Sequence, residues 1–203
     1  MTRCLLVFAH PLADSLNARL AATVERESIA QGWQVTRRDL YAGDFDPRLT
    51  AEERAGYYAT PPAALAAEKA ELAAAEVMIL VFPTWWFGFP AILKGWFDRV
   101  WAPGVAFDHS PGFGPMLPRL TSLQEVLAVT TLGAPGWIDW LVLRQPVRRI
   151  LHLAILKPCA PQARLTWRAL YRAEALTGPR LASLEARLSA EITRIARRLT
   201  CPD

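Results

Sequence analysis

Three short segments of the sequence carry side chains that could bind an anionic, partly aromatic ligand. The first runs from His10 to Asn17 and leads into a stretch with helical periodicity. Backbone amides at a helix N-terminus favour an anion, and His10, Ser15 and Asn17 add polar side chains, so a nucleotide phosphate would fit there. The alternative is structural: Asp14 or Ser15 caps the helix and His10 ends a strand. The segment contains neither GxxxxGK[ST] nor GxGxxG, so it is not a Walker loop or a dinucleotide-binding turn.

The second segment, Pro83 to Pro90, is rich in aromatic side chains. They are Trp85, Trp86, Phe87 and Phe89. A flat ring system is a natural partner for such a loop, because aromatic side chains stack on it and nearby backbone amides bond its edge. The alternative is packing against the following helix, which we expect for Trp96, Phe97 and one loop aromatic. We expect Trp86 and Phe87 to face the ligand.

The third segment consists mainly of small and hydroxyl residues and follows a later apolar run. It starts with Thr130 and Thr131, continues through Leu132 and Gly133, and ends at Trp137. Small side chains directly after a strand let a ligand approach the backbone closely. An ordinary turn rich in glycine and proline would have the same composition, so this segment indicates a site only together with the other two.

Strands and helices alternate along the chain. Continuous apolar or alternating runs predict strands at 5–9, 35–40, 77–82, 125–131 and 163–170. Apolar residues at helical spacing predict helices at about 15–32, 63–76, 90–101 and 179–199. We expect loops at 41–62 and 102–122, where glycine and proline are frequent. Charges interrupt the apolar stretch 136–156, which favours a buried or interface helix and leaves at most a peripheral membrane contact.

The alternation of strands and helices implies right-handed crossovers and a parallel sheet covered on both faces. We therefore expect an α/β protein with a flavodoxin-like, doubly wound, five-stranded parallel sheet of order 2-1-3-4-5, in a single domain over residues 1–203. Ligands of such sheets bind beyond the carboxyl ends of the strands, near the switch point between strands 1 and 3. The three segments follow strands 1, 3 and 4, so they should meet there.

Composition and charge narrow the class of protein. Apolar residues make up 52% of the 203 residues, enough for a sizeable core, and 23 basic against 19 acidic residues leave a formal charge of +4. That surplus suits a small anion but falls short of a nucleic-acid-binding surface. Cys4, Cys159 and Cys201 form no metal-binding or disulfide pattern. Because no signal-peptide pattern is present, we expect a cytoplasmic protein.

The residues from Phe82 to Val100 read FPTWWFGFPAILKGWFDRV, and this run resembles a known signature. The pattern FPxxWFxxPAxLKGWxDRV is typical of the NAD(P)H dehydrogenase (quinone) family, the DT-diaphorase-like flavoproteins. Two further motifs of that family, its phosphate loop HxxxxSFN and the start of its TTGG loop, resemble His10, Ser15, Leu16, Asn17 and Thr130, Thr131 respectively. The resemblance extends from residue 3 to about residue 135.

This resemblance implies a cofactor, a reaction and an assembly. Members of the family are homodimers with FAD or FMN near the interface, and they pass a hydride from NAD(P)H through the flavin to a quinone or similar acceptor in ping-pong order. FAD is the expected flavin, with FMN as the alternative. By motif, the flavin would contact His10, Ser15, Leu16 and Asn17 with its phosphate and ribityl groups, Pro83, Thr84, Trp85, Trp86, Phe87 and Gly88 with its ring system, and Thr130, Thr131 and Gly133 with its pyrimidine side.

Two departures from the family pattern bear on function. Leu132 occupies one position of the family's glycine pair, and the Tyr and His that assist hydride transfer have no clear counterparts, so catalytic acid–base residues stay unassigned. These departures leave open a second function, a flavin-binding regulatory subunit of a potassium-efflux system. An electron carrier of the flavodoxin type is disfavoured by the charge of +4, because such carriers are usually acidic.

Overall fold

The structure is a computed structural model that describes residues 1–57, 64–110, 112 and 114–200. The strands in this part of the chain are β1 Arg3–Phe8, β2 Gln34–Asp39, β3 Val77–Pro83, β4 Phe107–Asp108, β5 Leu117–Pro118, β6 Glu125–Leu132 and β7 Arg164–Tyr171. Five of them form one parallel sheet of order β2-β1-β3-β6-β7, and β4 pairs with β5 in a small antiparallel sheet. The main sheet confirms the predicted flavodoxin-like fold with its 2-1-3-4-5 order.

Strand β3 lies at the centre of the sheet and is buried along its whole length. It pairs with β1 on one side, where Leu6 is opposite Ile79, and with β6 on the other, where Pro83 is opposite Thr131. A strand covered on both faces needs apolar side chains at every position, which explains its continuous apolar sequence. The carboxyl ends of β1, β3 and β6 therefore lie at one edge of the sheet.

Helices cover both faces of the sheet. They are α1 Leu16–Ala30, α2 Ala51–Ala55, α3 Ala66–Ala74, α4 Ala91–Val100, α5 Pro146–Arg149, α6 Lys157–Cys159 and α7 Gly178–Thr200. Helices α1 and α7 pack on one face through Leu20, Val24 and Ile192, whereas α3 and α4 pack on the other through Leu72 and Trp96. The ends of α1, α3, α4 and α7 agree with the predicted helices within a few residues, because the apolar stripe of each helix decides its extent.

The prediction of a loop at 41–62 was wrong in part, because this stretch contains helix α2 at Ala51–Ala55. The hydroxyl of Thr50 accepts a hydrogen bond from the N–H of Glu53, and the Glu53 carboxylate accepts one from the N–H of Thr50. The same carboxylate pairs with Arg99 of α4 at 2.8 Å, and both side chains are nearly buried. A distant cation thus stabilises a helix too short to be recognised from local periodicity. Residues 58–63 lie outside the described part of the chain.

The prediction of a loop at 102–122 was also wrong in part, because this stretch contains β4 and β5. These two strands pair Phe107 with Pro118. Phe107 is buried in the hydrophobic core, which fixes this short pair of strands to the body of the protein. Residues 111 and 113 of the predicted loop lie outside the described residues.

The stretch 136–156 does not form the single helix that the sequence predicts. Two π-helical segments, Ile138–Val142 and Ile150–Leu156, flank α5. Arg144 and Gln145 interrupt the helix with left-handed φ angles of 57° and 52°, and Pro146 disfavours helical backbone in the residue before it. No helix among the described residues is long and apolar enough to cross a membrane.

Trp96 of α4 lies in the core, and its truncation should therefore be far more damaging than that of Trp86. Trp96 is 1% exposed and packs edge-on against Phe97 and Trp101, whereas Trp86 is 99% exposed. Trp96→Ala should lower the free energy of unfolding by about 3–5 kcal/mol through the cavity that it leaves. The matched Trp86→Ala variant should change it by less than about 0.5 kcal/mol. Chemical denaturation measures both values, and equal losses would contradict this placement.

Candidate active site

A cavity of about 350 Å³ opens at the carboxyl ends of β1, β3 and β6, where the three segments meet. Its lining among the described residues consists of His10, Leu16, Asn17, Pro83, Thr84, Trp85, Thr131, Gly133, Ala173 and Glu174. Five other residues named from the sequence do not line it: Ser15, Trp86, Phe87, Gly88 and Thr130. The parallel sheet thus brings the three segments to one place.

The first segment joins β1 to α1 and presents a helix N-terminus to the cavity. Ser15 caps α1, because its hydroxyl accepts a hydrogen bond from the N–H of Ala18 at 3.1 Å. The imidazole Nδ1 of His10 accepts one from the N–H of Leu12 at 3.1 Å, so a neutral ring carries its proton on Nε2. The first turn of α1, which the structure describes completely, holds no acidic side chain. The segment therefore offers a positive helix end and an imidazole donor to an anion.

Asn17 links α1 to β6 and keeps one polar atom unpaired. Its side chain is 3% exposed, and Nδ2 donates to Oγ1 of Thr131 at 2.9 Å. The other atom of the amide, Oδ1, has no hydrogen-bond partner among the described residues. Because a buried polar atom without a partner costs about 1–3 kcal/mol, its position in a cavity wall indicates a ligand that donates to it, such as a hydroxyl group.

Thr84 is the first residue after β3, and two hydrogen bonds hold it against β6. Its N–H donates to the carbonyl oxygen of Thr131 at 2.8 Å. Its hydroxyl oxygen lies 2.7 Å from that of Thr130, which is fully buried in β6. These bonds extend the pairing of the two strands to the floor of the cavity.

The hairpin from Trp85 to Gly88 has a strained tip at the rim of the cavity. Trp85 and Gly88 exchange two backbone hydrogen bonds of 3.2 and 2.9 Å. The two tip residues, Trp86 and Phe87, have left-handed φ angles of 51° and 54°. This geometry favours asparagine and glycine and costs other residues about 1–2 kcal/mol each. Strain of this kind is commonly found at functional sites, and here it projects Trp86 into solvent.

The other two aromatic residues of the hairpin segment point in different directions. Trp85 lines the cavity, and its ring lies 6.3 Å from that of His10. Phe89 packs in the core against Phe82 and Phe97, at ring distances of 5.5 and 5.3 Å. Phe89 is thus the loop aromatic that packs on the following helix.

Strand β6 extends to Leu132, one residue beyond the predicted strand 125–131, so the first three residues of the third segment lie inside the sheet. The longer strand pairs Leu132 with Tyr171 at the end of β7. Thr130, Thr131 and Leu132 are all buried, and of these three Thr131 lines the cavity. The leucine that replaces a family glycine therefore packs into the protein and leaves the cavity to Thr131 and Gly133.

Ala173 and Glu174 also line the cavity, and the sequence patterns indicated neither of them. They lie in a 3₁₀ turn, Ala173–Ala175, that follows β7. A Cβ atom on Gly133 would lie 3.3 Å from the Glu174 carboxylate, so the two segments are in close contact. The predicted strand order could have indicated them, because it places the last strand beside β6, and the residues after that strand then lie at the same edge of the sheet.

Tyr171, the last residue of β7, anchors the segment that follows β6. Its hydroxyl donates to Oδ2 of the buried Asp139 at 2.7 Å. A Cβ atom on Gly136 would lie only 3.1 Å from the Tyr171 ring, so this glycine permits close packing. Burial, together with the hydrogen bond and charge of Asp139, raises the pKa of Tyr171 to about 12. The phenol therefore stays protonated at neutral pH, and it does not line the cavity.

Few titratable groups reach the cavity. In its described lining they are His10 and Glu174. Burial raises the pKa of Cys4 to about 12 and that of Cys159 to about 11, so neither is a thiolate at neutral pH. Within the described part of the chain, no cluster of three or more His, Cys, Asp or Glu side chains is placed to hold a metal ion.

The strand order and the cavity at the carboxyl edge define a flavodoxin-like protein. Residues 2–175 match the family described as the flavodoxin-like fold. The chain belongs to this family.

Curated relatives confirm the resemblance to the NAD(P)H dehydrogenase (quinone) family. The chain is 35% identical over 187 residues to ribosyldihydronicotinamide dehydrogenase (quinone) of Rattus norvegicus, a match that covers 79% of this chain and 80% of that protein. It is 38% identical over 122 residues to YcaK of Escherichia coli, an uncharacterized NAD(P)H oxidoreductase, with 57% and 59% covered. The chain thus spans less than two thirds of YcaK.

Solved structures share the fold. A protein from Streptococcus mutans, Smu.1420, has a TM-score of 0.82 and 27% identity, and the match covers 94% of this chain and 98% of that one. An FMN-dependent NADH-azoreductase from Bacillus anthracis, solved in complex with FMN, has a TM-score of 0.70 and 15% identity, and covers 97% and 100%.

Relief of the strain at the hairpin tip should stabilise the protein and impair the site. In the double variant Trp86→Asn/Phe87→Gly, the tip takes the residues that its backbone favours, so the free energy of unfolding without ligand should rise by about 1–2 kcal/mol. Affinity for the flavin that the resemblance implies should fall. Thermal unfolding and flavin titration measure the two effects. Lower stability would contradict the strain, and unchanged affinity would remove the tip from the site.

Proposed function

We propose that the chain is a flavin-dependent NAD(P)H:quinone oxidoreductase, or acts on a related acceptor, and that it folds as one domain. The observation that carries the proposal is the cavity wall, in which a helix N-terminus, the His10 imidazole and the unpaired Oδ1 of Asn17 lie beside Trp85. A ligand with a phosphate, hydroxyl groups and a flat ring would satisfy all of these groups. The signature at 82–100 and the oxidoreductase names of the curated relatives support the same function.

Each of the three segments would contact a different part of the flavin. The amides of α1, with His10, Ser15, Leu16 and Asn17, would hold its phosphate and ribityl groups. Its ring system would contact Pro83, Thr84, Trp85, Trp86, Phe87 and Gly88, and its pyrimidine side would contact Thr130, Thr131 and Gly133. Ser15 and Thr130 would contribute by holding the helix end and Thr84 in place. We propose FAD, with FMN as the alternative that the azoreductase complex supports.

The bound flavin would supply the redox chemistry, taking a hydride from NAD(P)H and passing two electrons to the acceptor in ping-pong order. The residues of the chain would bind the flavin, orient it and exclude water from it. Thr84 and Thr131 hold polar atoms at fixed positions on the cavity floor, because both are tied to neighbouring elements. Trp85 in the wall, with Trp86 and Phe87 at the rim, would shield one edge of the ring system from solvent.

The alternative function, a regulatory subunit of a potassium-efflux system, gains no support from the two curated relatives, both of which carry enzyme names. We also place the protein in the cytoplasm. Cys4 and Cys159 are free and buried, which suits a reducing compartment.

The visible spectrum of the purified protein, recorded without oxygen before and after addition of NADH or NADPH, tests the proposed function. We expect flavin absorbance that bleaches within a turnover time and returns when a quinone is added, because the same flavin serves both half-reactions. A bound flavin that stays oxidised with both donors would contradict the enzyme and favour the regulatory subunit.

An exposed apolar surface on the stretch 137–150, which follows Gly133 of the cavity lining in the sequence, supports a homodimer. It comprises Trp137, Trp140, Leu141, Val142 and Ile150, each of them at least 45% exposed. Contiguous exposed apolar side chains are typical of an interface, and a two-fold axis would cover the same surface on both copies. The partner would then lie close to each flavin.

Light scattering should give twice the monomer mass of 22.6 kDa at micromolar protein. Leu141→Glu should shift the mass towards the monomer, because a buried carboxylate without a partner is costly. Ile29→Glu on α1, at a similarly exposed apolar residue away from this surface, is the matched control and should stay dimeric. A monomeric wild type would contradict the proposal.

A further inference from the structure

Thr84 and Thr130 form a pair of hydroxyl groups at the floor of the cavity. Their oxygen atoms are 2.7 Å apart, and either atom can be the donor. Thr130 is fully buried in β6, whereas Thr84 is partly exposed and lines the cavity. Thr84 occupies a position that the family signature FPxxWFxxP leaves open.

The number of protons in the pair decides which hydroxyl donates. Two hydroxyl groups carry two protons, and one hydrogen bond between them uses only one. If Thr84 donated to Thr130, the proton of Thr130 would be buried without an acceptor, since its oxygen has no other hydrogen-bond partner among the described residues. If Thr130 donates, the proton of Thr84 is free to point into the cavity. The second arrangement is favoured because a buried donor without an acceptor is costly.

We infer that Thr84 is a directed hydrogen-bond donor to the ring of the bound flavin, and that it sets the flavin's reduction potential. This inference rests on the proposed function. The Thr130 hydroxyl holds the Thr84 oxygen from below, and the Thr84 proton then meets an acceptor of the ligand, such as a ring carbonyl oxygen. Thr84 thus acts on the cofactor directly, and Thr130 is a positioning residue.

The hydrogen bond from Thr84 should strengthen binding of the reduced flavin more than binding of the oxidised flavin. Reduction adds negative charge to the ring, and a hydrogen bond to a charged acceptor is roughly twice as strong as one to a neutral acceptor. Removal of the donor should therefore weaken the binding of both forms and weaken that of the reduced form more. The midpoint potential of the bound flavin reports this difference without any measurement of turnover.

The test compares Thr84→Val, Thr84→Ser and Thr130→Val with the wild type. Thr84→Val keeps the shape of the side chain and removes the hydroxyl, and it should weaken binding of oxidised flavin about 3- to 10-fold. It should also lower the reduced-to-oxidised affinity ratio about tenfold, which lowers the midpoint potential of this two-electron couple by about 30 mV. Thr84→Ser keeps the hydroxyl group and should retain the wild-type flavin affinity and midpoint potential. The control Thr166→Val, in β7 and outside the cavity lining, should change neither value.

Thr130→Val separates the two directions of the hydrogen bond. If Thr130 donates, its loss leaves the Thr84 hydroxyl intact, so the potential should change less than it does in Thr84→Val. If Thr84 donates to Thr130, Thr130→Val frees the Thr84 proton and strengthens flavin binding, whereas Thr84→Val has no effect. That result, or an unchanged potential in Thr84→Val, would overturn the inference and leave the proposed function standing. A wild type that binds no flavin would overturn the proposed function and the inference with it.

Discussion

Strand β3 forms hydrogen bonds with β1 on one side and β6 on the other, and the segments that line the cavity all follow these strands or the neighbouring β7. Parallel pairing fixes the register, so that Phe8 lies opposite Val81 and Pro83 lies opposite Thr131. The pairing continues beyond the strand, where the N–H of Thr84 donates to Thr131. Because this pairing continues past the end of β3, the first residue after the strand is held by the sheet itself.

This sheet edge combines polar groups that the core would not tolerate with a backbone conformation that is strained. The Oδ1 atom of Asn17 is buried and has no partner in the part of the chain that the structure describes, and Trp86 and Phe87 hold left-handed conformations. Each of these features costs stability without a ligand. Both features lie beside the cavity, at the end of a central strand, β3, that is apolar and buried along its whole length. A ligand that fills the cavity would recover some of this cost.

The sequence predicts those parts of the molecule that local pattern determines. The apolar runs of β1, β3 and β6 identify the sheet, and the segments after them identify most of the cavity lining. Helix α2 was missed, because it is too short to show apolar periodicity and its Glu53 pairs with Arg99, far away in sequence; the capping residues Thr50 and Glu53 were a local signal for it. The directions of the aromatic side chains in the hairpin could not be predicted either, because the hairpin backbone turns Trp85 towards the cavity and Trp86 into solvent. Glu174 was missed because its strand, β7, lies beyond the segments with recognisable motifs.

Binding of FAD and FMN to the flavin-free protein shows whether the cavity holds a flavin through Asn17 and its neighbours. A ligand of the folded state must raise the unfolding temperature by mass action. We expect protection of the wild type with a dissociation constant in the micromolar range or below, and weaker protection of Asn17→Leu, which loses both the Oδ1 acceptor and the bond to Thr131. Absence of protection of the wild type by either flavin would show that the cavity is not a flavin site.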